Sequence, residues 1–426
     1  MLLIYSAETS LRLQYICKFI FDEVLGVSHN ITLHDVSFNA YEGPKINYSD
    51  LSFSESYTIR PHKLLFEKEI KLQELKCTEE DGRNTFFNTP GSDHSFDIFA
   101  AVFYLISRYE EYLPHRKDMY GRYAHENSLA YKEGFLHTPL VNTWLLNLKE
   151  KLEKYFPSLK FAGKQFKYIP TYDIDIAWSF KEKGLLRNMA GFFRKPTWER
   201  IGTLAGNKTD PYDCYRFLHN LHDRINTDPI YFFLVAERNG KYDKNILPAN
   251  QHMQSLIKEH AEKYKIGLHP SWKSNDEEVI LKQEKNILEN ISGKEIRSSR
   301  QHYIKFNLPE TYQYLIKAGI TDDYSMGYGS INGFRASVAS SFLWYDLSQE
   351  KITSLRIHPF CFMDANCYYE ERLSLEDSYT ELLYFYNECK KVNGLFITIF
   401  HNSFLGTAEE FTGWKELCIK FISQIH

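Results

Sequence analysis

The sequence predicts an α/β protein with two domains, and two observations indicate this. In the larger, C-terminal part of the chain, short apolar runs typical of strands alternate with segments that have a helical apolar period. Strands that alternate with helices favour parallel β/α units. The chain has 426 residues, 43% of them apolar, which is enough for two domains with sizeable cores. We therefore expect a smaller N-terminal α/β domain over residues 1–160 and a second α/β domain over residues 165–426.

The N-terminal part contains several predicted elements but no cluster of catalytic residue types. Its predicted strands span residues 2–5, 31–33 and 56–59, and its predicted helices span 11–25, 97–112 and 140–156. Pro157 ends the last of these helices, because a proline ring cannot continue a helix. The aromatic and charged residues at 107–112 and 121–123 indicate a solvated helix face, or a surface that docks on the following domain.

A domain boundary is indicated near residues 159–167, where basic residues follow Pro157. Beyond it, strands are predicted at 168–175, 229–235, 266–269, 296–303, 321–326 and 396–400, and helices at 212–224, 252–265, 277–290 and 309–318. The insertion between Trp178 and Asp228 is rich in basic and aromatic residues, including Gly191-Phe-Phe-Arg194. We interpret it as a polymer or partner contact, or as a mobile loop or helical lid.

Composition and charge narrow the function classes. The balance of 51 basic against 55 acidic residues offers no electrostatic basis for binding nucleic acid or an anionic membrane. The N-terminal segment lacks a basic stretch, and no run approaches 18 apolar residues, so neither a signal peptide nor a membrane span is predicted. The seven cysteines include no Cys-x-x-Cys pair, which is typical of free thiols in a reducing compartment. We therefore expect a cytoplasmic protein, whose oligomeric state the sequence does not indicate.

The most informative motif is Tyr168-Ile-Pro-Thr-Tyr-Asp-Ile-Asp175, which places Asp173 and Asp175 at the end of an apolar run. Residues two apart in a strand lie on the same face, so both carboxylates are expected to project together from the strand's carboxyl end. Two like charges this close resist double ionisation unless a cation or a shared proton lies between them. The pair therefore predicts a metal site or a shared proton, and the alternative is a strand that ends in an aspartate-capped turn.

Three later segments extend this pattern. They are Gly267-Leu-His-Pro-Ser-Trp272, Arg300-Gln-His-Tyr303 and Leu395-Phe-Ile-Thr-Ile-Phe-His-Asn402. In this order, the acid pair and the three segments resemble the motifs of the polysaccharide deacetylases of carbohydrate esterase family 4. That family has an aspartate pair after its first strand, a His-x-x-x-His motif, an Arg-x-Pro-Tyr motif and a late strand that ends in histidine. The resemblance covers residues 166–426, and the preceding part resembles an accessory domain of some bacterial deacetylases.

The resemblance implies a fold, an activity and a cofactor. The fold is a distorted (β/α) barrel of about seven strands. The activity is hydrolytic removal of acetyl groups from N-acetylated sugars of a cell-surface polysaccharide or its precursor. Asp175 and His269 would hold a divalent metal, with ligand atoms that suit zinc. Lys273 stands where the family has its second histidine, so His302 is the expected third ligand, with Ser271 or waters as the alternative.

The resemblance also implies four catalytic roles. Asp173 would accept a proton from the attacking water, and Arg300 would keep its carboxylate ionised. Tyr303 would donate its backbone N–H to the oxyanion. His401 would donate a proton to the departing amine, since the reference pKa of histidine, about 6.5, lies near neutral pH.

Arg335 and Asp364 are the predicted substrate-binding residues. Arg335 follows the glycine-rich loop at residues 327–333, whose spacing differs from that of a phosphate-binding loop. Asp364 follows a predicted strand. The alternative for Arg335 is a structural salt bridge, and Asp323 is predicted to orient either Arg300 or Arg335.

Two other functions are compatible with the sequence. With too few metal ligands, the chain would be a non-catalytic, glycan-binding relative of the deacetylases. Asp173-Ile-Asp175 also matches a glycosyltransferase motif that binds a metal and a nucleotide diphosphate, but that function would leave Arg300, Tyr303 and His401 without a role. Metal content separates the hydrolase from the glycan-binding protein, and product analysis separates it from the transferase.

Overall fold

The computed structural model describes residues 1–183, 198–225 and 227–425. The chain divides into two compact units, each assembled from three segments. The first unit comprises Met1–Lys167, Gly333–Pro359 and Asn387–Phe396, and the second comprises Tyr168–Asn332, Phe360–Tyr386 and Ile397–His426. The predicted domains, residues 1–160 and 165–426, are continuous stretches of chain, and that division stays a prediction.

The regular elements alternate along most of the described chain. The strands are β1 (Leu2–Ser6), β2 (His29–Thr32), β3 (Lys45–Tyr48), β4 (Tyr57–Thr58), β5 (Thr78–Glu80), β6 (Arg83–Thr85), β7 (Lys167–Ile174), β8 (Ile230–Phe233), β9 (Lys265–Leu268), β10 (Ser298–Ser299), β11 (Asp322–Asp323), β12 (Phe342–Asp346), β13 (Lys351–Ile357), β14 (Phe362–Met363) and β15 (Leu395–His401). The α-helices are Leu11–Cys17, Asp35–Asn39, Ile98–Ile106, Leu129–Lys132, Leu140–Tyr155, Trp198–Leu204, Tyr215–Ile225, Gln251–Lys263, Glu278–Ser292, Glu310–Lys317, Leu375–Lys391 and Trp414–Ile425.

The first unit contains a four-stranded parallel sheet in the order β2-β1-β3-β4. The predicted strand at 2–5 and the helix at 140–156 are confirmed. The helix predicted at 97–112 ends at Ile106, and Arg108 then adopts a left-handed conformation with φ of 55°, which an α-helix cannot contain. Strand β3 and the antiparallel hairpin of β12 and β13 were not predicted.

The second unit contains strands in the order β11-β10-β9-β8-β7-β15-β14. The pairs β7–β8, β8–β9, β9–β10, β10–β11 and β14–β15 are parallel. This arrangement confirms the predicted α/β class. Among the described residues of this unit no pairing joins β11 to β14, so the sheet is open where a closed barrel was expected. In the described part of the chain no helix has both the length and the apolar character needed to cross a bilayer.

Candidate active site

Polar side chains gather where the parallel strands of the second unit end. Strand β7 ends at Ile174, β9 at Leu268, β10 at Ser299 and β15 at His401. The carboxyl ends of neighbouring parallel strands lie at one edge of a sheet, which is the usual position of ligand sites in α/β folds. The side chains that meet there are Asp173, Asp175, His269, Arg300, His302 and His401.

Asp175, His269 and His302 form a group that could hold a metal ion. One ligand atom from each lies within 4.8 Å of the other two. His269 Nε2 is 3.0 Å from Asp175 Oδ1, and His302 Nε2 is 3.4 Å from Asp175 Oδ2. Both histidines are buried, whereas the Asp175 side chain is 28% exposed. The structure therefore brings the three predicted ligands together, and their binding of a metal stays a prediction.

The orientation of His269 suits a metal ligand. Its Nδ1 lies 2.5 Å from the carbonyl oxygen of Arg300, and because a carbonyl only accepts hydrogen bonds, this nitrogen donates. In the neutral ring Nε2 then presents a lone pair towards Asp175 Oδ1, a buried atom with no hydrogen-bond partner in the described residues. A lone pair and a carboxylate oxygen 3.0 Å apart repel unless a proton or cation lies between them. One oxygen and two imidazole nitrogens are ligands that zinc accepts.

His302 is held by a carboxylate that sequence analysis missed. Its Nδ1 lies 2.9 Å from Asp243 Oδ1, and the same oxygen accepts the Trp272 N–H at 3.0 Å. Asp243 is buried and follows β8, the neighbour of the strand that carries the acid pair. Its position in a loop after a strand next to β7 was the available signal.

The charged groups of this cluster shift one another's pKa values. Burial raises the pKa of Asp175, but His302 and His269 outweigh it and hold that pKa well below its ordinary range. Burial lowers the pKa of His302, yet Asp175 and Asp243 together raise it to about 9. A metal ion on His302 Nε2 would replace the proton there, so metal binding should release protons near neutral pH.

Asp173 lies beside the three candidate ligands, and one of its carboxylate oxygens is bound by Arg300. Arg300 Nη1 donates to Asp173 Oδ1 at 2.8 Å and to Thr171 Oγ1 at 2.7 Å. The other oxygen, Oδ2, is 3.8 Å from His269 Nε2. Arg300 and Asp173 are both buried, so the guanidinium group fixes Oδ1 of the carboxylate and leaves Oδ2 facing His269.

The position of Arg300 depends on close packing around its guanidinium group. The group lies 4.4 Å from the centre of the Phe232 ring, and Nε donates to the Tyr324 carbonyl at 3.0 Å. A Cβ atom on Gly267 would lie 2.5 Å from that ring, so only glycine allows Phe232 to pack there. Asp323 accepts from Ser299 and Ser325 side chains instead, and neither Arg300 nor Arg335 is among its partners in the described residues.

His401 faces the same cluster and is fixed by Asp364. His401 Nδ1 lies 2.6 Å from Asp364 Oδ1, and the His401 N–H donates to Asp364 Oδ2 at 2.7 Å. His401 Nε2 is 3.6 Å from Asp175 Oδ2. Burial lowers the pKa of His401, but Asp364 and then Asp175 raise it to about 10. Asp364 is fully buried against His401, so its placement does not support the predicted contact with substrate.

Arg335 lies outside this cluster, in the first unit, and is 1% exposed. Its Nε donates to Glu111 Oε1 at 2.8 Å, and its Nη2 pairs with Glu111 Oε2 at 2.5 Å. Arg108 Nε donates to Glu111 Oε1 at 2.7 Å. The placement matches the salt-bridge alternative and does not support a substrate-binding role for Arg335.

The segment after His302 turns sharply. Tyr303 and Ile304 both have left-handed backbones, with φ of 59° and 53°, which is strained for residues other than glycine. The Tyr303 ring packs edge-on to Trp272 at 5.6 Å, and its predicted N–H donation to an oxyanion stays a prediction. Lys273 is exposed.

Asp210 fixes the loop that follows the acid pair, and sequence analysis did not identify it. Its buried carboxylate accepts four backbone N–H groups at 2.7 to 3.0 Å, from Ser179, Phe180, Lys181 and Tyr212. The loop therefore keeps one shape directly beyond Asp175. The basic aromatic motif at residues 191–194, proposed as a polymer contact, lies outside the described residues.

Comparisons with known proteins found one family profile and several distant structural likenesses. A profile described as "Family of unknown function (DUF7033)" matches residues 2–157, and a search of curated proteins found no match. A structure assigned as a polysaccharide deacetylase from Mycobacterium smegmatis covers 63% of this chain and 86% of its own, at 14% identity and a TM-score of 0.41. A polysaccharide deacetylase from Bacillus cereus covers 62% of this chain and 89% of its own, at 10% identity and a TM-score of 0.32. A GH57-type branching enzyme from Pyrococcus horikoshii covers 61% of this chain and 68% of its own, at 8% identity and a TM-score of 0.35. Likenesses this distant do not identify an activity.

Proposed function

We propose that this protein is a metal-dependent hydrolase that removes acetyl groups from N-acetylated sugars of a cell-surface polysaccharide or its precursor. The observation that carries the proposal is the ligand group of Asp175, His269 and His302, flanked by a carboxylate and a histidine that each have a fixed partner. The order of these residues along the chain, which resembles that of the polysaccharide deacetylases, supplies the substrate class.

The residues of the chain divide the catalytic work. A bound divalent metal, with zinc as the expected ion, would polarise the acetyl carbonyl and lower the pKa of water. Asp173 Oδ2 is placed to accept a proton, because Arg300 occupies Oδ1 and leaves Oδ2 towards the metal ligands. Protonated His401, held by Asp364, is placed to donate a proton to the departing amine.

The proposal extends to the whole chain. Residues 165–426 would form the catalytic domain, with a barrel-like arrangement of strands, and residues 1–160 an accessory domain. A cytoplasmic location, as expected from the sequence, would favour a precursor over finished polymer as the substrate.

Product analysis with a panel of N-acetylated oligosaccharides tests the proposal. We expect the zinc-loaded protein to release acetate and free amine in equal amounts, and Asp173→Asn to bind zinc but release neither. Asp276→Asn, which changes an exposed carboxylate paired with Lys305, serves as the matched control and should stay active. Zinc binding without acetate release from any sugar would support the glycan-binding alternative. Release of a nucleoside diphosphate from nucleotide sugars would support the transferase.

A further inference from the structure

Asp243 connects two of the loops that carry the candidate metal ligands. Its Oδ1 lies 2.9 Å from His302 Nδ1 and accepts the Trp272 N–H at 3.0 Å. Trp272 lies three residues after His269 in the loop that begins at the end of β9. The same carboxylate oxygen therefore fixes the ring of His302 and the course of the loop after His269.

The two histidines are supported differently. His269 donates to a backbone carbonyl, which the fold positions regardless of side-chain chemistry. His302 donates to a buried carboxylate, whose charge makes the ring a stronger electron donor at Nε2 and fixes which nitrogen carries the proton. His302 directly precedes the left-handed Tyr303, and the partner of its Nδ1 is the side chain of Asp243.

We infer that Asp243 is a positioning residue for the metal, which holds His302 as the third ligand in a chain that has Lys273 in the place of a second histidine. This inference rests on the proposed function. It assigns to Asp243 a role in metal affinity and geometry and no contact with substrate. Since Lys273 is exposed, the third nitrogen comes from the turn after β10 instead of the loop after β9.

Cobalt(II) binding to the purified full-length protein tests this inference, because the visible spectrum reports the ligands and their geometry. We expect Asp243→Ala to weaken cobalt and zinc binding by about 10- to 100-fold, as loss of a partner behind a ligating histidine does. Asp243→Asn retains an oxygen that can accept both hydrogen bonds, so its loss should be smaller. The matched control is Asp276→Asn, which changes an exposed carboxylate paired with Lys305 and should leave affinity and spectrum unchanged.

The outcomes separate this inference from the proposed function. A wild-type protein that binds neither ion would overturn both. Wild-type binding together with unchanged affinity and an unchanged spectrum in Asp243→Ala would overturn only the role of Asp243. If Asp243→Ala does not fold, Asp243→Asn decides, since a positioning role requires weaker cobalt binding in that variant than in Asp276→Asn.

Discussion

Each unit contains a carboxylate among basic side chains, and the two clusters differ in the partners of that carboxylate. Glu111 in the first unit accepts from Arg108 and Arg335, whose guanidinium groups carry a permanent charge. Asp175 in the second unit faces His269 and His302, whose nitrogens can gain or lose protons, and its Oδ1 makes no hydrogen bond in the described residues. The comparison teaches that a fully paired cluster stabilises the fold, whereas one with exchangeable partners can bind a cation.

Glu111→Gln gives the largest expected effect. Removal of one partner from a buried ion pair costs about 3–5 kcal/mol in the free energy of unfolding. Here Arg335 would lose its carboxylate partner, whereas Arg108 would keep its ion pair with Glu110. Chemical denaturation would measure this loss. Glu295→Gln, which removes one partner of an exposed pair with Arg297, should show no measurable loss. Equal stability of the two variants would contradict the claim that the Glu111 cluster stabilises the fold.

Zinc should raise the thermal stability of the protein only when Asp175, one of the three candidate ligands, is present. A ligand that binds only the folded protein adds about 2.7 kcal/mol of stability when its free concentration is 100 times its Kd. Thermal unfolding with and without zinc should therefore show a higher Tm for the wild-type protein and for Glu111→Gln, and no change for Asp175→Ala. A zinc-dependent rise in Asp175→Ala would place the metal elsewhere.

The pH dependence of stability should separate wild type from Glu111→Gln. Burial raises the pKa of Glu111, but Arg335 and Arg108 outweigh it and lower the pKa to about 2, from a reference value of 4.5. A lowered folded-state pKa stabilises the protein above the unfolded value and loses that contribution as pH falls towards the folded value. The stability difference should therefore be constant near about pH 7 and shrink below about pH 4. A constant difference in urea denaturation across this range would contradict the assignment.

Lys273→Ala gives the smallest expected effect. Lys273 is exposed and lies outside the ligand group, so zinc affinity measured by calorimetry should not change. His302→Ala should weaken zinc binding sharply in the same assay. If Lys273→His instead raised affinity while His302→Ala had no effect, His302 would be a structural residue.

Local sequence patterns predicted the strand ends and the residues that meet there. Apolar runs that end in Asp173-Ile-Asp175 and in His401 mark strands whose carboxyl ends share one edge of the sheet, so their convergence followed from topology. The roles of Asp243 and Asp210 could not be predicted from their local sequence, because each binds another segment of the chain. Asp243 binds a histidine 59 residues later. The two alternatives for Arg335 stayed open in the sequence for the same reason, since its partner Glu111 is 224 residues away.

The carboxylate of Asp210 behaves as an anion tethered to the chain. Four converging N–H groups would attract chloride or phosphate from solution if the pocket they line were free of a side chain. Tethering gives Asp210 a high effective concentration at that position, whatever the composition of the medium. The loop beyond Asp175 should therefore keep its shape at any ionic strength that the fold itself withstands.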